Sequence, residues 1–132
     1  MSEATNVKTL KLSILSPERN LFTGEASSVI VPGEVGSFGI YPNHAPLIAS
    51  MDVGIIQIRL LDGETIKMVV DGGFVEVKNG YVNILADSAD TIDTIDAKVV
   101  EAKLAEISKE PASSHKVKEI KKAKTRILLK QN

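Results

Sequence analysis

A chain of 132 residues is long enough for one domain with a small appendage, and it has no apolar run near the roughly 20 residues that would cross a membrane. It contains no cysteine and no tryptophan, and only 4% of its residues are aromatic, which excludes disulfides and thiolate catalysis and argues against base stacking on nucleic acid. Residues 1–95 carry six Lys/Arg and twelve Asp/Glu, whereas residues 96–132 carry ten and five, so we expect the basic tail either to fold back on its own acidic domain or to bind an acidic partner.

Alternation of apolar and polar residues marks the first part of the chain as β structure. Residues 10–14 place three apolar side chains on one face of a strand, and residues 29–31 form a second run that we expect to end at Pro32, because proline cannot donate to a ladder. Two hairpins are predicted, one around Asp62-Gly63 and one around Asn79-Gly80. The spacing predicts an N-terminal flattened β-sandwich or barrel of about 8–10 strands over residues 1–88.

Residues 33–47 are too long and too specific for an ordinary turn. Three glycines permit left-handed backbone conformations and two prolines fix φ, while four large side chains lie among them: Ile40, Tyr41, His44 and Leu47. This composition predicts an ordered loop whose apolar tip docks on a partner. Further on, Gly72-Gly73 predicts a bulge or a close crossing of strands, and it lacks the Lys-Ser/Thr ending of a phosphate loop.

Residues 89–95 are polar and acidic and have no clear period, so we expect a hinge segment between two domains. Aspartates recur every three residues from Asp87 to Asp96, but the glycine and terminal glutamate of a calcium loop are missing. Helix capping and solvation explain these aspartates better, and we predict no metal site.

Residues 96–132 have helical periodicity. One apolar stripe runs from Ala97 to Ile107 and a second from Val117 to Ile127, with Asp96 placed to cap the first helix and Ser113 or Ser114 the second. Such short helices are marginal alone in water. We therefore predict an antiparallel two-helix hairpin that packs on the sandwich or on a partner and that is able to move between them.

No constellation of residues indicates catalysis. His44 is the only histidine of the β part and has no nucleophile or second ligand near it in the sequence, so we expect a docking or structural role. The basic helix has phosphate-binding charge but nothing for base readout, so nucleic acid is not an expected partner. A sandwich module that holds a small ligand in its loop stays an alternative, which the few aromatics and the lack of clustered polar ligands disfavour.

The segment Gly39–Leu47 resembles the "GIxPxHAPL" signature of the epsilon subunits of F-type ATP synthases. Other stretches are similar to the family in the same order, namely Leu15–Arg19, Val31–Glu34, Gly72–Val77 ("GGFxEV") and Val82–Asp90. Since these pieces span nearly the whole chain in register, the chain is identified as a member of that family.

The resemblance implies a non-catalytic rotor subunit in the central stalk of a proton-translocating ATP synthase. In the family, the β-sandwich binds the gamma subunit and stands on the ring of c subunits, coupling ring rotation to the catalytic head. The helical hairpin folds compactly on the sandwich or extends toward the alpha and beta subunits, where it inhibits ATP hydrolysis. The implied location is peripheral, on the cytoplasmic face of a bacterial-type inner or plasma membrane.

Site residues follow from the same resemblance. Four residues match loop positions near the c ring and gamma: Ser37, Gly39, Tyr41 and His44. Four match the basic positions of the second helix that meet an acidic loop of the beta subunit: Lys121, Lys122, Lys124 and Arg126.

Some family members bind ATP on the compact hairpin through an "I/L-D-x-x-R-A" motif. Here Ile95 and Asp96 match, but Val99 and Val100 stand where the motif has arginine and alanine. Valine cannot replace the phosphate-binding guanidinium, so we predict weak or no nucleotide binding and no cofactor.

Overall fold

The computed structural model describes residues 9–131, which form eight strands followed by two helices. The strands are β1 (Leu10–Leu15), β2 (Asn20–Ala26), β3 (Ser28–Gly33), β4 (Gly36–Ile40), β5 (Leu47–Arg59), β6 (Thr65–Lys78), β7 (Tyr81–Ala86) and β8 (Ala89–Thr91). A 3₁₀ turn (Ile92–Thr94) precedes α1 (Ala97–Ile107) and α2 (Ser114–Gln131). The predicted fold class, a β-sandwich followed by a two-helix hairpin, is confirmed, although residues 1–8 and 132 of the predicted domains lie outside the described part.

The strands form one sheet in the order β2-β1-β7-β6-β5-β3-β4, with β8 paired to β6. Only the β1–β7 pair is parallel among the pairings described. The first half of β6 pairs with β8 and the second half with β7, so β6 belongs to both layers of the sandwich. We call the side with β2, β1 and β7 the first layer, and the side with β8, β3 and β4 the second layer.

The core lies between the two layers and follows the alternation that the sequence predicts. Leu12 and Ile14 of β1 are opposite Val82 and Ile84 of β7, and all four side chains are buried. Burying a side chain of this size contributes about 1.5–3 kcal/mol. The second layer adds further buried residues: Val29, Val31, Ile56, Ile58, Met68 and Val70.

Strand β6 passes between the layers at Gly72-Gly73, as that glycine pair predicts. Both residues have positive φ, at 99° and 129°. A Cβ built on Gly73 would lie 2.0 Å from the carbonyl oxygen of Leu85, so β6 and β7 approach each other too closely for any side chain there.

Both predicted hairpins are present. Asn79 and Gly80 have φ of 51° and 82° and link paired Lys78 and Tyr81, as in a two-residue turn with both central residues left-handed. The turn at Asp62-Gly63 is longer, because β5 ends at Arg59 and β6 begins at Thr65.

The expectation that Pro32 ends its strand is wrong. Pro32 lies inside β3 and is opposite Ser37 of β4. The ladder between β3 and β5 is irregular between Ile30 and Gly33, so the missing N–H of proline coincides with a gap in that ladder.

The segment 89–95, predicted as a hinge, contains β8 and the 3₁₀ turn, so hydrogen-bonded β structure extends to Thr91. Beyond it, Asp96 Oδ1 accepts hydrogen bonds from the backbone N–H groups of Lys98 and Val99, which confirms the predicted cap of α1. Ser113 Oγ accepts from the N–H of Lys116 and caps α2.

Candidate functional site

The long loop expected at residues 33–47 is partly a strand. Residues 36–40 form β4, and Ile40 is fully buried in the core, so Ile40 cannot belong to a docking tip. Tyr41 is 57% exposed and His44 is half-buried, in a turn where the His44 N–H donates to the carbonyl of Tyr41 over 3.1 Å. Gly39 lies against the Tyr41 ring, since a Cβ there would be 2.9 Å from it.

Two of the predicted loop residues, His44 and Ser37, lie in separate depressions of the surface. His44 lies beside the β6–β7 turn in a depression shared with Thr9, Asn79 and Tyr81. Ser37 lies in a different groove, shared with Asp52 of β5 and Lys121 of α2. A single partner that contacts both would have to span one edge of the sandwich.

Helix α2 packs on the outer surface of the second layer, so the basic tail does fold back on its own domain. Leu129 of α2 is fully buried against Val69 and Ile95, with Ile55 and Val100 at the margin. Val69 alternates with the core residues Met68 and Val70 and therefore points out of the sandwich toward the helix.

Arg126 of α2 is held by two carboxylates of the sandwich. Its Nη1 and Nη2 atoms donate to Oδ1 and Oδ2 of Asp71 over 2.8 and 2.6 Å, and its Nε donates to Asp90 Oδ2 over 2.6 Å. Ser88 Oγ also donates to Asp71. The side chains of Arg126 and Asp71 are only 12% and 5% exposed, so this bidentate pair is shielded from solvent. We call Arg126 with Asp71 and Asp90 the arginine cluster.

The pKa values in this cluster favour the charged forms. Burial alone would raise the pKa of the Asp71 carboxyl, but hydrogen bonds from Arg126 and Ser88 hold it below its ordinary value. Burial alone would lower the pKa of Arg126, but the hydrogen bonds to Asp71 and Asp90 raise it. Both partners are therefore ionised at neutral pH.

The three predicted lysines are arranged differently from Arg126. Lys121 donates to Asp52 over 2.7 Å at a half-exposed position, and this bond lowers the pKa of Asp52. Lys122 pairs with Glu119 over 2.9 Å within α2. Lys124 is exposed and has no ion pair within residues 9–131. Only Lys121 and Arg126 thus reach the sandwich.

Sequence reasoning missed the acidic partners of these cations. Asp71 is the one buried charged residue of the described chain, and it follows the apolar run Met68–Val70 directly. A carboxylate at the end of a buried run is costly unless it is paired, and this signal could have indicated a cation from elsewhere in the chain.

The position of the nucleotide motif is a cleft between the hairpin and the sandwich, lined by Ile95, Asp96 and Val99 among others. Its cations are already engaged, because Arg126 faces two aspartates and Lys103 and Lys122 both face Glu119. No free guanidinium faces this cleft within the described residues.

The outer surface of the first layer carries an apolar patch that sequence reasoning also missed. Leu15, Leu85 and Phe74 lie side by side on β1, β7 and β6, and Ile48 of β5 lies one step further along. Phe74, Leu85 and Ile48 are 56%, 54% and 74% exposed. We call these four residues the apolar patch; it faces away from α2, which covers the opposite layer.

The chain is similar to known proteins over most of its length. Residues 9–92 match the family model described as the ATP synthase Delta/Epsilon chain, beta-sandwich domain. An ATP synthase epsilon chain of Leptospira interrogans is 48% identical over 121 residues, which cover 91% of this chain and 94% of the relative. One of Pelotomaculum thermopropionicum is 43% identical over 95 residues, covering 72% and 70% of the two chains.

Two solved structures have the same fold. A chain of the Euglena gracilis mitochondrial ATP synthase, solved as OSCP, F1 and c-ring, superposes with a TM-score of 0.81 at 16% identity, covering 95% of this chain and 82% of that chain. A chain of the Tetrahymena thermophila central stalk and c-ring superposes with a TM-score of 0.60 at 16% identity, covering 92% and 93%.

Proposed function

This chain belongs to the epsilon subunits of F-type ATP synthases, and on that premise we propose that it is a non-catalytic rotor subunit of the central stalk. It couples rotation of the c ring to the catalytic head and restrains ATP hydrolysis through its helical hairpin. The observation that carries the proposal is the 48% identity to an epsilon chain across nearly the whole length of both proteins. The apolar patch and the surface that binds α2 lie on opposite layers of the sandwich, which supports separate surfaces for docking and for regulation.

We propose that the gamma subunit docks on the apolar patch. The patch presents three large apolar side chains in one row across neighbouring strands, which is typical of the core of a protein interface rather than of free surface. Since α2 occupies the other layer, gamma can bind whether or not the hairpin is docked.

We propose that Tyr41 and His44 contact the c ring, with Gly39 holding the Tyr41 ring in place. Tyr41 is exposed and His44 is half-buried, on a turn where Asn43 has a left-handed backbone conformation with φ of 69°. Ser37 lies at the other end of β4, in the groove beside Asp52 and Lys121 of α2, so docking of gamma on the apolar patch does not involve it.

The hairpin is proposed to inhibit hydrolysis when it leaves the sandwich and presents its basic helix to an acidic surface of the alpha and beta subunits. That charge is supplied by Lys121, Lys122, Lys124 and Arg126. Within the predicted hinge, residues 89–95, the stretch after β8 supplies the movement. In the arrangement described here Lys121 and Arg126 face the sandwich, so this compact form is the non-inhibitory one.

A chain truncated after Ile95 is expected to assemble into the ATP synthase and to raise its ATP hydrolysis severalfold. The truncation removes both helices but leaves β1–β8, the apolar patch and the His44 turn. Hydrolysis by the purified complex, measured beside a complex with the full chain at the same epsilon stoichiometry, tests this. Equal rates for the two complexes would rule out inhibition through the hairpin.

Millimolar ATP is expected to leave the position of the hairpin unchanged. Val99 stands where the nucleotide motif has arginine, and the remaining cations of the cleft are paired internally. The measurement is energy transfer between one dye on the sandwich and one on α2, attached to cysteines introduced into this cysteine-free chain, with calorimetry as a second readout. A saturable change with ATP, absent with sulfate at the same ionic strength, would contradict the expectation.

We propose a peripheral location on the cytoplasmic face of a bacterial membrane, reached through the c ring. The relatives quoted above are bacterial chains. Within residues 9–131, neither helix has the length and apolar character to span a bilayer.

A further inference from the structure

Asp71 is an ionised carboxylate that the sandwich alone does not neutralise. It lies at the end of the first half of β6, is 5% exposed, and receives one hydrogen bond from Ser88 besides those from Arg126. Its one cationic partner within the described chain comes from the regulatory helix. Undocking α2 therefore removes the counter-ion of Asp71 and breaks a bidentate ion pair that is shielded from solvent in the docked form.

We propose that Asp71, assisted by Asp90, is an internal latch that holds the hairpin compact without any nucleotide. The two carboxylates occupy all the donor directions of the Arg126 guanidinium that face the sandwich, as a bound anion would. This inference rests on the proposed function in one respect only: that the compact form is the non-inhibitory one.

The latch is distinct from the other ion pair that joins helix and sandwich. Lys121 and Asp52 are 50% and 46% exposed, and a pair so open to solvent contributes little to docking. Arg126 lies one helical turn from Leu129, the fully buried anchor of α2 on Val69. Breaking the latch therefore acts on the same helical face that makes the apolar contact.

Arg126 cannot make these bonds to the sandwich and bind another subunit in the same way at the same time. Arg126 donates through Nε, Nη1 and Nη2 to two aspartates and through Nη1 to the carbonyl of Lys122, which leaves one of its five N–H groups for an acidic surface on another subunit. An acidic partner must therefore compete with Asp71 and Asp90 for Arg126, so docked and extended forms exclude each other at this one side chain.

The test compares two single amide substitutions in the full isolated chain, Asp71→Asn and Asp52→Asn. Both remove one carboxylate charge from the interface with α2, one buried and one exposed. Hydrogen exchange of peptides from residues 114–131 is measured by mass spectrometry at neutral pH. We expect exchange at least tenfold faster in Asp71→Asn and within about threefold of the unmodified chain in Asp52→Asn, since buried and exposed pairs differ by that much or more.

Peptides from β1 and β7 report whether the sandwich stays folded. Equal exchange of α2 in Asp71→Asn and Asp52→Asn, with β1 and β7 unchanged, would overturn the latch. If β1 and β7 also exchange faster in Asp71→Asn, Arg126→Lys decides instead, with Lys124→Gln as its control. Arg126→Lys keeps the charge and loses the bidentate fork; faster α2 exchange than in Lys124→Gln supports the latch, and no difference overturns it.

These outcomes are independent of assembly into an ATP synthase. A chain that shows the latch but never binds gamma would refute the proposed function and leave the latch intact. A chain that binds gamma but whose α2 exchanges equally in both variants would refute the latch and leave the proposed function intact.

Discussion

The double substitution Phe74→Glu and Leu85→Glu is expected to prevent binding of the gamma subunit while leaving the chain folded. Both side chains are more than half exposed and lie opposite each other on β6 and β7, so the substitutions disturb no core contact. In a docked complex the same positions are desolvated, and an unpaired charge there is costly. Apolar anchors at the centre of an interface are each worth about 2 kcal/mol or more, so the pair should weaken binding by at least about 100-fold.

The measurement is calorimetry or biolayer interferometry with purified gamma. The matched control is Leu61→Glu with Val117→Glu, which adds the same charge at residues exposed to a similar degree outside the apolar patch. Leu61 lies in the β5–β6 turn and Val117 on α2. Equal affinities for the two double variants would show that gamma binds elsewhere.

Gly73→Ala is expected to destabilise the sandwich by roughly 3–5 kcal/mol, the sum of backbone strain and overpacking. The φ of 129° is unfavourable for any L residue, and the new Cβ would lie 2.0 Å from the carbonyl oxygen of Leu85. Because β6 links both layers at this point, a shift to relieve the clash would disturb the pairing of β6 with β7.

Gly36→Ala is a closely matched control, because the φ of Gly36 is 128° but a Cβ there would meet nothing within 4 Å. Urea unfolding of the two variants, followed by circular dichroism, separates the two contributions. The difference between their losses of unfolding free energy measures the clash alone, which we expect to cost about 1–3 kcal/mol. If the two glycines respond equally, the close approach of β6 and β7 is not what restricts residue 73.

Local signals were read correctly from the sequence. The Asn79-Gly80 hairpin, the Asp96 cap and the Ser113 cap each depend on residues within a few positions of one another, and all three are confirmed. Pro32 and Ile40 were misjudged because neighbouring strands decide their roles. Pro32 is accommodated in β3 by the pairing with β4, and Ile40 is drawn into the core as the end of β4.

The candidate site could be predicted from the sequence only in part. Charge asymmetry and the family resemblance indicated Lys121 and Arg126, but not what they bind in the compact form. Asp71 is 55 residues from Arg126 in sequence, and only the folding of α2 onto the second layer brings them together. The apolar patch escaped notice for the same reason, because Leu15, Phe74 and Leu85 become neighbours only through strand pairing.

The most direct test of the central claim is affinity isolation of the tagged chain from membranes of its source cells, solubilised in mild detergent, with mass spectrometry of the proteins that accompany it. The account predicts that gamma, alpha, beta and c subunits are recovered together in the proportions of an ATP synthase. Recovery of the tagged chain with none of these subunits would contradict the rotor assignment.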